Sequence, residues 1–206
     1  MAVDHTPARH TADDALLRLV AGNERFLRGE ARFPTVHKEI LAELAKGQQP
    51  YATIIGCSDS RVPPELVFDA GFGELFIVRV AGNVISPEVM GTLQYAAVHL
   101  RTPLFVVLGH EECGAVRAAL ANKDRGAREP ERIELLLTKI VPGLDGLDSD
   151  VSSPARVSAA VEANVRWSMR QLRETPEGQQ RMAEGILMLV GAVYDLETGR
   201  VRFLPD

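Results

Sequence analysis

The chain has 206 residues, 46% hydrophobic and 25% charged, which is enough to bury a sizeable core and too apolar to stay disordered. A net charge of -5 and the lack of any Lys/Arg cluster exclude a surface built to replace the counterions of nucleic acid. No apolar run approaches the ~20 residues that cross a bilayer, and Met1-Ala2-Val3-Asp4-His5-Thr6-Pro7 has no signal-peptide stretch. A cytoplasmic protein with neither membrane nor nucleic-acid partners is expected.

Short apolar runs bounded by Gly or Pro alternate with helical patterns, which predicts an α/β fold in one domain over residues 1–206. After a Thr11 cap a helix is predicted over residues 12–26, then a second over 37–46. Residues 51–56 and 75–80 read as strands, followed by a helix over 88–100 and a third strand over 104–108. Helices are predicted over 113–122, 131–141 and 154–174, with a loop rich in Gly, Asp and Ser over 142–153. Residues 186–193 form the fourth strand, and Asp195-Leu196-Glu197-Thr198-Gly199 turns the chain into Arg200-Val201-Arg202-Phe203, an antiparallel edge strand. The nearly continuous apolar character of the other strands suits a mostly parallel sheet covered by helices on both faces.

Gly56-Cys57-Ser58-Asp59-Ser60-Arg61 and Gly109-His110-Glu111-Glu112-Cys113-Gly114 carry the chemistry. Cys57 and Cys113 are the only cysteines, and with His110 they supply two thiolates and an imidazole, a ligand set for zinc. A structural site closes with four protein ligands, whereas a catalytic one uses three and keeps a position for water or substrate. Cys57 and His110 each fall just past an expected strand, where open α/β sheets put their chemistry, and Cys113 is placed in the first turn of the next helix. Gly109 and Gly114 are expected to let the backbone turn tightly around the metal. A Cys57–Cys113 disulfide is the alternative use of the pair, and a reducing compartment disfavours it. Because two thiolates already neutralise the dication, a bound water needs outer help to ionise near neutral pH. Asp59, an acceptor only, would take a hydrogen bond from the resulting hydroxide while Arg61 holds the carboxylate by a two-pronged pair. Lying two residues from Cys57, Asp59 could instead turn onto the metal and close the site.

Cys57-Ser58-Asp59-Ser60-Arg61-Val62, Gly73-Glu74-Leu75-Phe76-Ile77-Val78-Arg79, Ala81-Gly82-Asn83, Gly109-His110 and Cys113-Gly114-Ala115-Val116 together resemble the β-class carbonic anhydrases, in their plant-type-like branch. The resemblance runs from Asn23-Glu24-Arg25-Phe26 to the terminal strands. It implies zinc-dependent, reversible hydration of carbon dioxide to bicarbonate and a proton, by attack of a zinc-bound hydroxide. It implies Cys57, His110 and Cys113 as zinc ligands, Asp59 with Arg61 as the catalytic dyad, and Gln48, Phe76, Ala81 and Tyr95 as substrate-pocket positions. It also implies a homodimer or dimer of dimers whose N-terminal helices, such as residues 12–26, pack on a partner. Ile54 stands where the bicarbonate-regulated branch has a tryptophan, and Val80 and Gln94 replace a common asparagine and glutamate. Among the other histidines, His5, His10, His37 and His99, the sequence selects no proton shuttle, and His99 on an apolar helix reads as structural. Hydrolysis of carbonyl sulfide or carbon disulfide on the same scaffold, and a non-catalytic zinc-binding regulatory protein, are the alternative functions.

Overall fold

A computed structural model describes residues 10–32, 38–147 and 154–205. Strands β1 (Ala52–Gly56), β2 (Leu75–Arg79), β3 (Leu104–His110), β4 (Met188–Tyr194) and β5 (Val201–Phe203) form one sheet in the order β2-β1-β3-β4-β5. The first three pairings are parallel, and β5 alone runs antiparallel, against β4. From β1 the chain goes to β2 on one side and then crosses back to β3 on the other. That reversal opens a crevice past the carboxyl ends of β1 and β3, the place where such sheets take ligands.

The apolar strands alternate between two cores, as the two-residue pleat requires. Ile55, Phe105, Val107, Leu189 and Val193 face one core, and Ala52, Ile54, Leu104, Val106, Leu108 and Ala192 face the other. Ile54, at the position of interest for bicarbonate control, is fully buried in the second core.

Helix α1 (Ala12–Leu27) covers this second core. Thr11 starts it with a capping box: its hydroxyl accepts from the Asp14 amide at 3.1 Å, and the Asp14 carboxylate accepts in return from the Thr11 amide. The same helix buries Asn23, which donates to Val67 O (3.1 Å) and Gly199 O (2.9 Å) and accepts from the Val201 amide (2.9 Å). One amide side chain thereby joins α1 to the β4–β5 hairpin and to α3 (Pro64–Val67), a short helix that no sequence pattern had indicated. Past it, Asp69, its side chain 2% exposed, accepts from Arg25 of α1 and from the Arg32 amide at 2.7 Å. Helix α2 (Lys38–Leu44) buries no residue, and Ile40 and Leu41 stay exposed.

Helix α4 (Pro87–Tyr95) ends before the predicted residue 100. The chain continues through Ala96–Leu100 in a wider π-type turn and stops at Arg101 (φ 54), ahead of a Thr102-Pro103 step that disfavours helix. Helices α5 (Gly114–Arg125), α6 (Glu131–Ile140) and α7 (Pro154–Arg173) cover the first core. A second element missing from the sequence reading, α8 (Pro176–Ala183), begins with a Thr175 hydroxyl that accepts from the Gly178 amide at 3.0 Å. Trp167 of α7 lies against Gly143, where an added Cβ would come within 2.5 Å, and donates to Lys139 O at 2.9 Å.

Candidate metal centre

Cys57 follows β1 directly, His110 is the last residue of β3, and Cys113 caps α5. The sequence reading placed Cys113 inside the first helical turn; its ψ of 117° puts it one step earlier, as the N-cap. Among the described residues these three form a buried cluster whose donor atoms all lie within 4.8 Å of one another. The two sulfurs are 4.0 Å apart and both cysteines are free thiols, so the disulfide alternative does not hold. Two sulfurs about 2.3 Å from one tetrahedral zinc sit about 3.8 Å apart, so the separation fits that metal. His110 Nδ1 hydrogen-bonds the Glu111 carbonyl at 2.8 Å, which leaves Nε2 buried without a hydrogen-bond partner. A buried imidazole nitrogen beside two thiols, fixed through its other nitrogen, is the donor a metal takes.

The electrostatics of the cluster point the same way. The hydrogen bond with Cys113 holds the Cys57 thiol well below its ordinary value despite burial, with help from His110 and the Gly82 amide. Its anion in turn pushes Cys113 upward, together with burial, so the two thiols move in opposite directions. Two thiolates at this separation repel, and only a cation between them makes both ionise. Burial lowers the His110 imidazole, but the Cys57 thiolate outweighs it and the net shift is upward.

The tight turn around the cluster is not where the glycines suggested. Gly109 sits within β3, and a side chain there would meet Val165 at 2.6 Å, so its role is to let α7 approach the sheet. Gly114 has open space at its Cβ position. The left-handed residue in the segment is Glu112, φ 55.

Asp59 and Arg61 form the expected two-pronged pair, with Arg61 Nε to Oδ1 at 2.9 Å and Nη2 to Oδ2 at 2.8 Å. The Arg61 amide also donates to Oδ1 at 3.0 Å. Arg61 holds the Asp59 carboxyl far below the ordinary carboxylate range against a smaller burial effect. Its Oδ2 stays 3.9 Å from His110 Nε2, beside the donor cluster. Arg79, which the sequence reading left without a role, donates to Cys57 O at 2.9 Å and Asp59 O at 2.6 Å. It thereby ties the end of β2 to the segment carrying both residues.

Ala81 lies next to this cluster, since it opens the turn in which the Gly82 amide donates to Cys57 Sγ at 3.3 Å. The other pocket positions lie elsewhere in the chain. Phe76 is opposite Thr53, four residues before Cys57 and so about 13 Å back along the sheet. Its ring packs on Tyr95 (centroids 6.2 Å apart), and Tyr95 is 48% exposed. Gln48 is exposed in the segment entering β1. His99 is exposed against Tyr95 (ring centroids 4.9 Å apart), not built into the core, and His10 is exposed beside Tyr51. His5 and His37 lie outside the described residues.

A mostly parallel sheet that gathers two thiols, an imidazole and an arginine-held carboxylate in its crevice defines an α/β metalloprotein with a three-donor centre. Residues 52–201 match the family model described as carbonic anhydrase. The chain is 39% identical over 188 residues to "Carbonic anhydrase 2" of Mycobacterium tuberculosis, spanning 88% of this chain and 87% of that protein. Its fold is similar to a tetrameric β-carbonic anhydrase of Sordaria macrospora, with TM-score 0.75 and 25% identity over 94% of this chain and 98% of that one. A Coccomyxa β-carbonic anhydrase in complex with acetazolamide gives TM-score 0.68 and 31% identity over 79% and 75% of the two chains. The chain belongs to the carbonic anhydrase family, in its β class. That class uses zinc, and the donor set fits it.

Proposed function

We propose that this chain, as one domain, reversibly hydrates carbon dioxide to bicarbonate and a proton, with zinc held by Cys57, His110 and Cys113. The observation that carries the reading is the partnerless, buried His110 Nε2 set among two thiols and an arginine-held carboxylate. When bound, zinc supplies the Lewis acidity that ionises water near neutral pH.

The protein's own groups do the rest. Asp59 can only accept, so an attacking oxygen that donates its hydrogen to Oδ2 turns a lone pair away from the carboxylate and toward substrate. Arg61 keeps that acceptor ionised and oriented, and Arg79 fixes the backbone beneath it. Ala81 gives a small apolar wall for carbon dioxide, which needs a dry surface more than hydrogen bonds. Arg61 binding both Asp59 oxygens favours the catalytic, plant-type-like reading over one in which Asp59 closes the centre.

Gln48, Phe76 and Tyr95 complete the pocket of a second copy in this reading, because none lies by the cluster of its own chain. The unburied α2 and exposed Leu17 and Val20 on α1 support a homodimer or dimer of dimers. Free thiols 4.0 Å apart suit the reducing cytoplasm, and the net charge of -5 suits a protein with no nucleic-acid partner. Stopped-flow hydration of carbon dioxide by metal-quantified protein tests the reading: activity proportional to bound zinc supports it, and inactive protein carrying one zinc per chain overturns it.

A further inference from the structure

Cys57 Sγ accepts a backbone hydrogen bond from the Gly82 amide at 3.3 Å. Gly82 (φ 67) and Asn83 (φ 45) are consecutive left-handed residues, and for Asn83 that conformation carries a conformational cost. Something must hold the turn in place. Asn164 of α7 donates through Nδ2 to Gly82 O at 2.8 Å and to Asn83 Oδ1 at 3.4 Å. One helical turn on, the Ser168 hydroxyl donates to Asn83 O at 3.1 Å and accepts from Asn83 Nδ2 at 3.3 Å. Asn83, Asn164 and Ser168 are each at most 2% exposed, inside a core otherwise filled by residues such as Val161, Val165 and Met169. Polar side chains buried so deeply are costly unless hydrogen-bonded, and Asn164 Oδ1 finds no partner. Here every one of these bonds ends on the turn that presents the Gly82 amide to sulfur.

We propose that Asn164 and Ser168 are positioning residues that aim the Gly82 N–H at the Cys57 thiolate and thereby tune the metal. The inference rests on the reading of Cys57 as a zinc ligand. An N–H···S bond draws electron density from a thiolate, which then donates less to the cation. With two thiolates already offsetting a dication, that withdrawal keeps the metal acidic and fixes the ligand in its direction. Packing requires glycine at this point of the turn, since a Cβ at Gly82 would lie 2.7 Å from Ile140 and 3.0 Å from Ala115.

Asn164→Ala, Ser168→Ala and, as a stability control on the same helix, Met169→Ala are to be compared with the parent as Co(II)-substituted and zinc-loaded enzymes. In Asn164→Ala the thiolate-to-cobalt charge-transfer band moves to longer wavelength, zinc passes to a chelator about tenfold faster, and the pH profile of hydration moves to higher pH. Ser168→Ala changes each in the same direction by less. Met169→Ala lowers the unfolding midpoint and leaves the band in place. A band unmoved in folded Asn164→Ala, or moved equally in Met169→Ala, overturns the proposal. Should Asn164→Ala fail to fold, the same criterion applies to Ser168→Ala. Absence of a thiolate-to-cobalt band in the parent would instead overturn the ligand assignment of Cys57.

Discussion

Asp59 and Asp69 both accept from arginine, but the two regions use the pair differently. Asp59 is bound by a neighbour two residues away, keeps 18% exposure and faces His110 across 3.9 Å. Asp69, its side chain at 2% exposure, is enclosed by Arg25 of α1 and by Arg32, so its acceptors are spent on docking one segment against another. A local pair fixes the carboxylate's orientation within one segment and leaves it able to act, whereas a long-range pair joins pieces of the fold. The charge is the same in both, and what the free side of the carboxylate faces decides its use.

The contrast requires that Asp59 matter only beside a loaded metal. Cys57→Ser and Cys113→Ser should therefore lose zinc and hydration together, read by metal analysis and stopped-flow on the same samples. Full zinc content in either would overturn that cysteine's assignment as a ligand. Next, Asp59→Asn should retain zinc while hydration falls about 10²- to 10³-fold, because the amide can donate and no longer dictates where the attacking oxygen's hydrogen points.

Asp69→Asn should do the reverse, keeping turnover per zinc and losing about 2 kcal/mol of stability in urea unfolding. Burial raises the Asp69 carboxyl, but the Arg25 and Arg32 hydrogen bonds outweigh it and the net shift is downward. A carboxyl with a folded value below its unfolded value of about 3.9 contributes fully above that pH and loses its contribution as pH falls through the folded value. The gap between parent and Asp69→Asn should thus be full at pH 6 and shrink below about pH 4; a gap that persists unchanged at pH 3 contradicts the assignment. Arg32→Ala gives the smallest effect, within about 0.5 kcal/mol, since that side chain is 66% exposed and its backbone bond to Asp69 survives.

That Cys57, His110 and Cys113 gather and that Arg61 pairs with Asp59 was legible because a metal imposes residue types, and strand ends impose their place. The strand order was partly legible, because apolar runs separated by helices imply parallel crossovers. Helix α8 was missed although Thr175-Pro176 is a regular start signal, because Met182 is its only large apolar residue against the core and one position sets no apolar periodicity. Gly109 was misread for a deeper reason. A glycine marks either a backbone angle or a close approach, and only the packing of Val161 and Val165 distinguishes the two. Arg79 and Asn164 were out of reach, since each acts through backbone atoms of segments far away in sequence.

Trp167 is the one tryptophan of the chain, and it sits where α7 meets the end of α6 and the turn at Gly143. Its emission is therefore a native optical label for the seating of α7, with no engineered probe required. A blue-to-red change on titrating denaturant would follow this helix leaving its neighbours, while cobalt absorption would follow the cluster at the strand ends. Recording both on one sample separates loss of the support from loss of the metal.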